Sequence, residues 1–137
     1  PPVVKPRPVA VAQNSTITWR WPIKGEVVNS FSLKGRINKG IDIRGKLGDK
    51  VRAAADGVVV YAGGGLRGYG KLVIVKHSDS FLSAYGHNRK IQVKEGDSVK
   101  GGQVVGEVGP SSSKQDMLHF EIRRNGKPEN PLLYLPR

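Results

Sequence analysis

Short runs of apolar residues, separated by glycine and polar turn residues, recur along most of the chain. The runs richest in β-branched and aromatic residues are 58–61, 72–75, 81–85, 104–108 and 118–123. Such runs favour β-strands, and no window keeps a 3.6-residue apolar period long enough for a helix. Ser78-Asp79-Ser80 and Asn125-Gly126 lie where tight hairpin turns are expected. The pattern therefore predicts an all-β domain with a central antiparallel sheet.

One turn-and-strand sequence occurs twice. The segment 48–53 (GDKVRA) matches the segment 96–101 (GDSVKG), and a Val-Val pair follows each copy. Two copies of a β-turn-β unit predict two similar halves around one core. Carrier domains for biotin or lipoate also have two such halves, but they present a lysine on a tight hairpin between hydrophobic neighbours. No lysine of this chain has that setting, so the sequence argues against a carrier domain.

The two ends of the chain differ from its middle. Four prolines occur among the first eight residues, a composition typical of extended linkers. We therefore expect a flexible linker at residues 1–18 and a single domain at 19–137, with Trp19 and Trp21 docked onto the sheet. The segment 131–136 is expected to form one short turn.

Composition narrows the function classes. The chain has 137 residues and no cysteine, which excludes disulfides, thiolate zinc sites and a cysteine nucleophile. Its apolar runs are too short to span a membrane. The formal net charge of +12 favours an anionic partner. Nucleic acid is not expected, because the basic residues are scattered, aromatic residues are sparse and no recognition signature is present.

Candidate chemistry is concentrated in three motifs. They are Asn38-Lys39-Gly40-Ile41-Asp42, Tyr85-Gly86-His87 and Met117-Leu118-His119-Phe120-Glu121. Because side chains alternate along a strand, Leu118, Phe120 and Ile122 are expected in the core, and Met117, His119 and Glu121 on the opposite face. The third histidine of the chain, His77, is expected on the surface.

These motifs and their flanking sequences resemble the LytM (lysostaphin-type) family of peptidoglycan zinc endopeptidases. The resemblance covers about residues 20–130 and rests on Gly40-Ile41-Asp42-Ile43, the segment 54–59 (AADGVV), Tyr69-Gly70 and the segment 118–123 (LHFEIR). It implies a barrel-sandwich-like sheet with long groove-lining loops. In the family, a His-x-x-x-Asp pair and the second histidine of His-x-His bind zinc, while two further histidines handle protons.

Carried over by resemblance, the metal positions fall on Asn38, Asp42 and His119, and the proton-handling positions on His87 and Met117. An Asn amide is a poor zinc donor, and a methionine cannot transfer a proton. A catalytic zinc site needs three protein ligands and an open position for water. We therefore expect no metal, no cofactor and no catalytic residue, and we expect Asp42 and His119 to pair with each other.

The resemblance extends to LytM domains with such degenerate sites, which activate N-acetylmuramoyl-L-alanine amidases in the periplasm during cell division. This implies that a metal-free groove binds the amidase. The expected groove residues are Lys39, Arg67, Tyr69, Tyr85, His87, Met117 and His119. Family members of this kind are outer-membrane lipoproteins, so we expect the chain to be the C-terminal part of a longer, tethered protein. The open alternatives are a weak zinc endopeptidase and a passive module that binds peptidoglycan or another envelope polymer.

Overall fold

The computed structural model describes residues 17–137, which form ten β-strands and a short 3₁₀ helix. The strands are β1 (Val27–Asn29), β2 (Ile41–Arg44), β3 (Lys50–Arg52), β4 (Gly57–Gly63), β5 (Lys71–Lys76), β6 (Phe81–Ile91), β7 (Ser98–Val99), β8 (Val104–Val108), β9 (Met117–Arg124) and β10 (Lys127–Glu129). The 3₁₀ helix is Pro131–Leu133, within the segment expected to turn. All five predicted strands are present, so the all-β prediction is confirmed. Most of the predicted linker, residues 1–16, lies outside the described residues.

Antiparallel pairing joins the strands into one sheet in the order β1-β2-β9-β6-β5-β4-β7. β10 lies along β9, and β8 pairs with both β3 and β6. The predicted hairpins are confirmed: one joins β5 to β6 and the other joins β9 to β10. Asn125 and Gly126 have φ angles of 52° and 80°, the left-handed conformation that a two-residue hairpin turn requires. No helix among residues 17–137 combines the length and the apolar character needed to cross a membrane.

β6 is longer than the predicted run 81–85, and it changes partners along its length. Residues 81–86 pair with β9, whereas residues 88–91 pair with β8. His87 lies at the change, with a φ of 65° that is uncommon for a residue with a side chain. This backbone turn lets one strand belong to two parts of the sheet and places His87 at the corner between them.

The hydrophobic core lies on one face of the sheet. Leu118, Phe120 and Ile122 of β9 are fully buried there, as alternation predicts. Ile41 and Ile43 of β2 pack into the same cluster. The opposite face of β9 is therefore left to form the floor of a site.

Tyr85 belongs to this core and not to the groove. Its side chain is fully buried, and its ring centroid lies 5.4 Å from that of Phe120. The Ala54 N–H donates a hydrogen bond to the Tyr85 hydroxyl at 2.8 Å, and the Ser83 hydroxyl lies 2.6 Å from it. The expectation that Tyr85 lines the groove is wrong, because alternation along β6 turns this side chain to the core face.

The repeated sequence forms the same turn twice. The Lys46 N–H donates to Asp49 Oδ2 at 2.8 Å, and the Lys94 N–H donates to Asp97 Oδ2 at 3.0 Å. The glycine before each aspartate has a left-handed φ, of 88° in the first copy and 93° in the second. Each turn leads into a short strand, β3 or β7. The predicted internal repeat is thus present as a turn followed by a strand.

The leading segment docks at the end of the sheet where β6 begins. The Trp19 ring centroid lies 5.7 Å from that of Phe81 and 5.9 Å from that of Tyr134. Trp21 Nε1 donates to the Pro136 carbonyl at 2.7 Å. The predicted docking of the tryptophans is confirmed, and it ties the leading segment to the C-terminal segment.

His77 lies beneath this aromatic cluster and is only 3% exposed. Its ring nitrogens lie 2.8 Å from the Asp56 carbonyl and 2.6 Å from the Ser83 hydroxyl. Burial lowers the pKa of His77 to about 4, so the ring is neutral at physiological pH. The expectation of a surface position is wrong, because Trp19 covers the ring.

Candidate functional site

Strand pairing brings the three sequence motifs together. Asp42 on β2 is the register partner of His119 on β9, and His119 pairs on its other side with Gly86 of β6. The ring of the next residue, His87, lies 6.1 Å from the His119 ring between centroids. Asn38, Asp42, His87 and His119 line one cavity of about 670 Å³. The motifs thus form a single site on the face of the sheet opposite the core.

His119 is held between two carboxylates. Its Nδ1 lies 2.7 Å from Asp42 Oδ1, and its Nε2 lies 2.7 Å from Glu121 Oε2. The three side chains are shielded, with exposed fractions of 13% for His119, 15% for Asp42 and 1% for Glu121. A carboxylate accepts hydrogen bonds, so both ring nitrogens donate and the ring is an imidazolium. The expected pairing of Asp42 with His119 is confirmed.

The charges of this network stabilise one another. Burial is the largest single influence on the pKa of His119 and lowers it, but the hydrogen bonds and charges of Asp42 and Glu121 outweigh it and raise the pKa to about 9. Burial likewise acts to raise the pKa of Asp42, but His119 and the amide of Asn29 hold that pKa below its usual value. The pKa of Glu121 is also lowered, since His119, Tyr69 and Arg123 outweigh its burial. At neutral pH the network is therefore a cation between two anions.

Two asparagine amides complete the surroundings of Asp42. Asn29 Nδ2 donates to Asp42 Oδ2 at 3.0 Å, and Asn38 Nδ2 donates to the same oxygen at 3.4 Å. Asn38 Nδ2 also donates to the Ser30 carbonyl at 3.2 Å, while its Oδ1 accepts the Gly40 N–H at 3.3 Å. Asn29 is not among the site residues that the sequence predicts. It reaches Asp42 through an irregularity in the β1–β2 register, which no sequence pattern indicates.

The resemblance implies a zinc ion, and the orientation of these side chains does not fit one. A catalytic zinc site needs three protein donors that converge on the metal and leave a fourth position open. Asn38 turns its N–H₂ group, which has no free lone pair, toward Asp42. Asp42 and His119 are hydrogen-bonded directly to each other. Within residues 17–137, no group of three or more His, Cys, Asp or Glu side chains is placed to hold a metal.

His87 forms the corner of the cavity. The backbone N–H of His87 donates to the Tyr69 carbonyl at 2.7 Å, and the backbone carbonyl of His87 accepts a hydrogen bond from the Gly109 N–H at 2.9 Å. Burial lowers the pKa of His87, and the charge of His119 lowers it further, while Asp42 partly opposes both. The ring is therefore a neutral hydrogen-bonding group beside a charged network.

Tyr69 closes the network on the other side. Its hydroxyl donates to Glu121 Oε2 at 2.8 Å, and its ring centroid lies 5.7 Å from that of His119. Arg123 Nε donates to Glu121 Oε1 at 2.8 Å. Glu121 thereby accepts hydrogen bonds from three side chains. The sequence predicts Glu121 on the groove face but no role for it. His119 and Arg123 are its neighbours on β9, whereas Tyr69 comes from the loop before β5, a contact that no sequence pattern indicates.

The predicted groove residues divide into those that line the cavity and those that do not. Lys39, Tyr69, His87 and His119 line it. The remaining lining residues are Val28, Asn29, Ser30, Arg36, Ile37, Asn38, Asp42, Gly68, Ser112 and Glu121. Met117 lies on the expected face of β9 but is 5% exposed and does not reach the cavity. Arg67 is exposed and does not line the cavity, although its chain neighbour Gly68 does.

The rim is basic. Arg36 and Lys39 contribute to the cavity wall, and Arg67 directly precedes the lining residue Gly68 in the chain. None of the three has an ion-pair partner within the part of the chain that the structure describes. Their charges therefore remain available to an anionic ligand, above a floor whose own charges are already paired.

Known proteins resemble this chain along most of its length. It is 56% identical over 119 residues to the lipoprotein NlpD/LppB homolog of Pseudomonas aeruginosa. The aligned region covers 87% of this chain and 40% of that protein. It is 52% identical over 120 residues to the murein hydrolase activator NlpD of Escherichia coli, and this aligned region covers 88% of this chain and 32% of that protein. The chain thus spans less than half the length of these curated relatives.

A solved structure supports the same assignment. The catalytic domain of the antimicrobial peptidase lysostaphin from Staphylococcus simulans superposes with a TM-score of 0.69 at 27% identity, over 80% of this chain and 89% of that one. The model of peptidase family M23 matches residues 36–131. These matches confirm the expected lysostaphin-type fold, and the chain belongs to peptidase family M23.

Proposed function

We propose that this domain is a non-catalytic activator of periplasmic N-acetylmuramoyl-L-alanine amidases in the splitting of peptidoglycan during cell division. A relative that shares 52% identity bears the name murein hydrolase activator, and a second relative is named a lipoprotein. The amidase would carry the zinc chemistry, and this domain would control access to it.

One observation carries the proposal: Asp42 and His119 bond to each other where the family places a metal. Without bound zinc, a water molecule keeps its high pKa and is a poor nucleophile at neutral pH. Met117, at the position of a proton-handling histidine, cannot transfer a proton. The cavity nevertheless keeps a volume of about 670 Å³, and its basic residues Arg36 and Lys39 form no ion pair within the described part of the chain. A site of this kind suits binding better than hydrolysis.

The proposed ligand is an acidic regulatory segment of the amidase. Arg36, Lys39 and Arg67 would attract its carboxylates and orient it, and an amphipathic helix is a common occupant of such grooves. Binding then favours the amidase conformation in which this segment no longer blocks the amidase active site. We further propose that the domain acts in the periplasm as part of a longer lipoprotein tethered to the outer membrane.

An amidase assay on isolated sacculi tests the proposal. The domain alone should release no soluble peptidoglycan, and the amidase from the same organism should be stimulated when the domain is added. The double variant Arg36→Ala/Lys39→Ala should weaken the stimulation by about tenfold, since the two exposed charged contacts together contribute on the order of 1.4 kcal/mol.

Lys94→Ala/Lys100→Ala is the matched control, because it removes the same charge from exposed positions outside the cavity. Equal losses in the two double variants would mean that net charge alone attracts the amidase. Zinc-dependent release of peptidoglycan by the domain itself would show that it is an enzyme. Binding to sacculi without any amidase stimulation would point to a passive wall-binding module.

A further inference from the structure

A second cavity lies beside the groove, behind Tyr69. Its volume is about 280 Å³, and its floor is formed by Leu72 and Ile74 of β5 with Leu82 and Ala84 of β6. Leu66 and Tyr69, from the loop between β4 and β5, stand over this floor. The proposed function does not use the cavity.

The apolar floor is unusual for its position. On β5 and β6 the neighbouring side chains of Val73, Val75 and Tyr85 point to the core, so the floor belongs to the outer face of the sheet. An antiparallel sheet with one buried face commonly carries polar side chains on the other. Aliphatic side chains there are stabilised only when something covers them. Leu72 and Ala84 are covered, at 2% and 7% exposed, whereas Ile74 and Leu82 are half-buried and Leu66 above them is 45% exposed.

The second cavity adjoins the groove. Tyr69 and Glu121 line both cavities, so the Tyr69 side chain forms the partition between them. The Tyr69 hydroxyl donates a hydrogen bond to Glu121, which fixes the orientation of the Tyr69 side chain. A ligand in the groove would therefore lie next to the second cavity, with the Tyr69 side chain between them.

The size of the cavity indicates what it can hold. Small-molecule and cofactor sites usually measure roughly 300–1,000 Å³, and this cavity lies below that range. It accommodates one side chain of a larger partner better than it does a cofactor. Its aliphatic floor favours an apolar side chain over a sugar, whose hydroxyls would lose their hydrogen bonds to water.

We propose that this cavity is an anchor subsite: it receives one aliphatic or aromatic side chain of the same acidic partner segment that occupies the groove. The inference rests on the proposed amidase-binding function. The basic rim selects the acidic residues of the segment, and the cavity selects an apolar residue next to them. Anchors of this kind carry most of the binding energy in many protein interfaces.

Two variants test the subsite. Ala84→Leu fills the cavity from its floor, and Leu66→Asn makes its mouth polar without changing the charge. Val60→Asn is the matched control for the second variant, because Val60 is 43% exposed and lies in neither cavity. The dissociation constant of the amidase from the same organism is measured by calorimetry for each variant, after thermal unfolding has shown which variants fold.

Both cavity variants should bind the amidase about 10- to 100-fold more weakly, the factor expected when one buried apolar side chain loses its site. Val60→Asn should bind like the wild type. If Ala84→Leu does not fold, the comparison of the dissociation constants of Leu66→Asn and Val60→Asn tests the subsite alone. Unchanged affinity in the cavity variants, with weaker binding by Arg36→Ala/Lys39→Ala, would overturn the subsite and leave the proposed function standing. If the wild-type domain does not bind the amidase, both proposals fall.

Discussion

His119 supplies a positive charge that would otherwise have to come from a metal. A zinc ion would balance the charge of Asp42 directly. Here the imidazolium of His119 and the amides of Asn29 and Asn38 surround that carboxylate instead. Glu121 holds the other side of the ring, and Arg123 balances Glu121. The residues of the site thus satisfy one another, which leaves a stable floor under an open cavity.

The raised pKa of His119 makes a prediction about pH. The unfolded pKa is about 6.5 and the folded pKa is about 9, so the folded state binds this proton more tightly. The resulting stabilisation is complete below about pH 6.5 and is lost as the pH rises through about 9. We expect the melting temperature to fall between these pH values and expect His119→Gln to remove this component. NMR titration of the His119 ring should show a midpoint well above that of a free histidine, and a midpoint near 6.5 would contradict the charged network.

The sequence predicts some residue positions correctly and misplaces others for identifiable reasons. Alternation along β9 places His119 and Glu121 on one face and Phe120 in the core, as observed. Tyr85 and His87 are two residues apart and should share a face by the same rule. The left-handed φ of His87 breaks the alternation, so Tyr85 turns to the core and His87 to the cavity. The pattern of polar and apolar side chains in the sequence does not predict a single unusual backbone angle of this kind.

At the scale of elements, the site depends on the close approach of the segment leading into β2 to strand β9. A methyl group at Gly40 would lie 2.1 Å from the Phe120 carbonyl oxygen. No flexible side chain can move aside there, because the neighbour is backbone. Glycine at this position therefore allows the β2–β9 pairing that sets Asp42 against His119.

Gly40→Ala should consequently separate β2 from β9. We expect a loss of about 3 kcal/mol or more in the free energy of unfolding, since overpacking against backbone is relieved only by moving a strand. Gly64→Ala is the control, because the nearest atom to an added methyl group there is 3.9 Å away, on the Lys71 side chain. It should change the stability by no more than about 0.5 kcal/mol. Equal free energies of unfolding for the two variants, measured by chemical denaturation, would contradict the close approach of Gly40 to the Phe120 carbonyl.

Element length decides which strands the sequence reveals. Short runs rich in β-branched and aromatic residues predict β4, β5, β6, β8 and β9, and the repeated sequence indicates β3 and β7 through the turns that precede them. β1 has three residues, Val27–Asn29, which are too few to show alternation. Its absence from the sequence prediction explains why the contribution of Asn29 to the site went unrecognised.

At the scale of the whole molecule, the sequence predicts the charge but not where that charge is free. The net charge of +12 favours any anionic partner by long-range attraction. The structure locates part of that charge at the cavity wall, where Arg36 and Lys39 have no ion-pair partner among residues 17–137, above a floor whose charged side chains are paired. It also shows a second, largely apolar cavity, which is lined by residues from β5, β6 and the loop between β4 and β5.

The zinc content of the purified domain tests the central claim most directly. The domain is loaded with excess zinc, desalted and measured by elemental analysis beside the variant Asn38→His, which restores a third donor. We expect below about 0.1 zinc per wild-type chain and close to one in Asn38→His, because three converging donors are needed for tight binding. About one zinc retained per wild-type chain would contradict the account, since Asp42 and His119 would then hold a metal rather than each other.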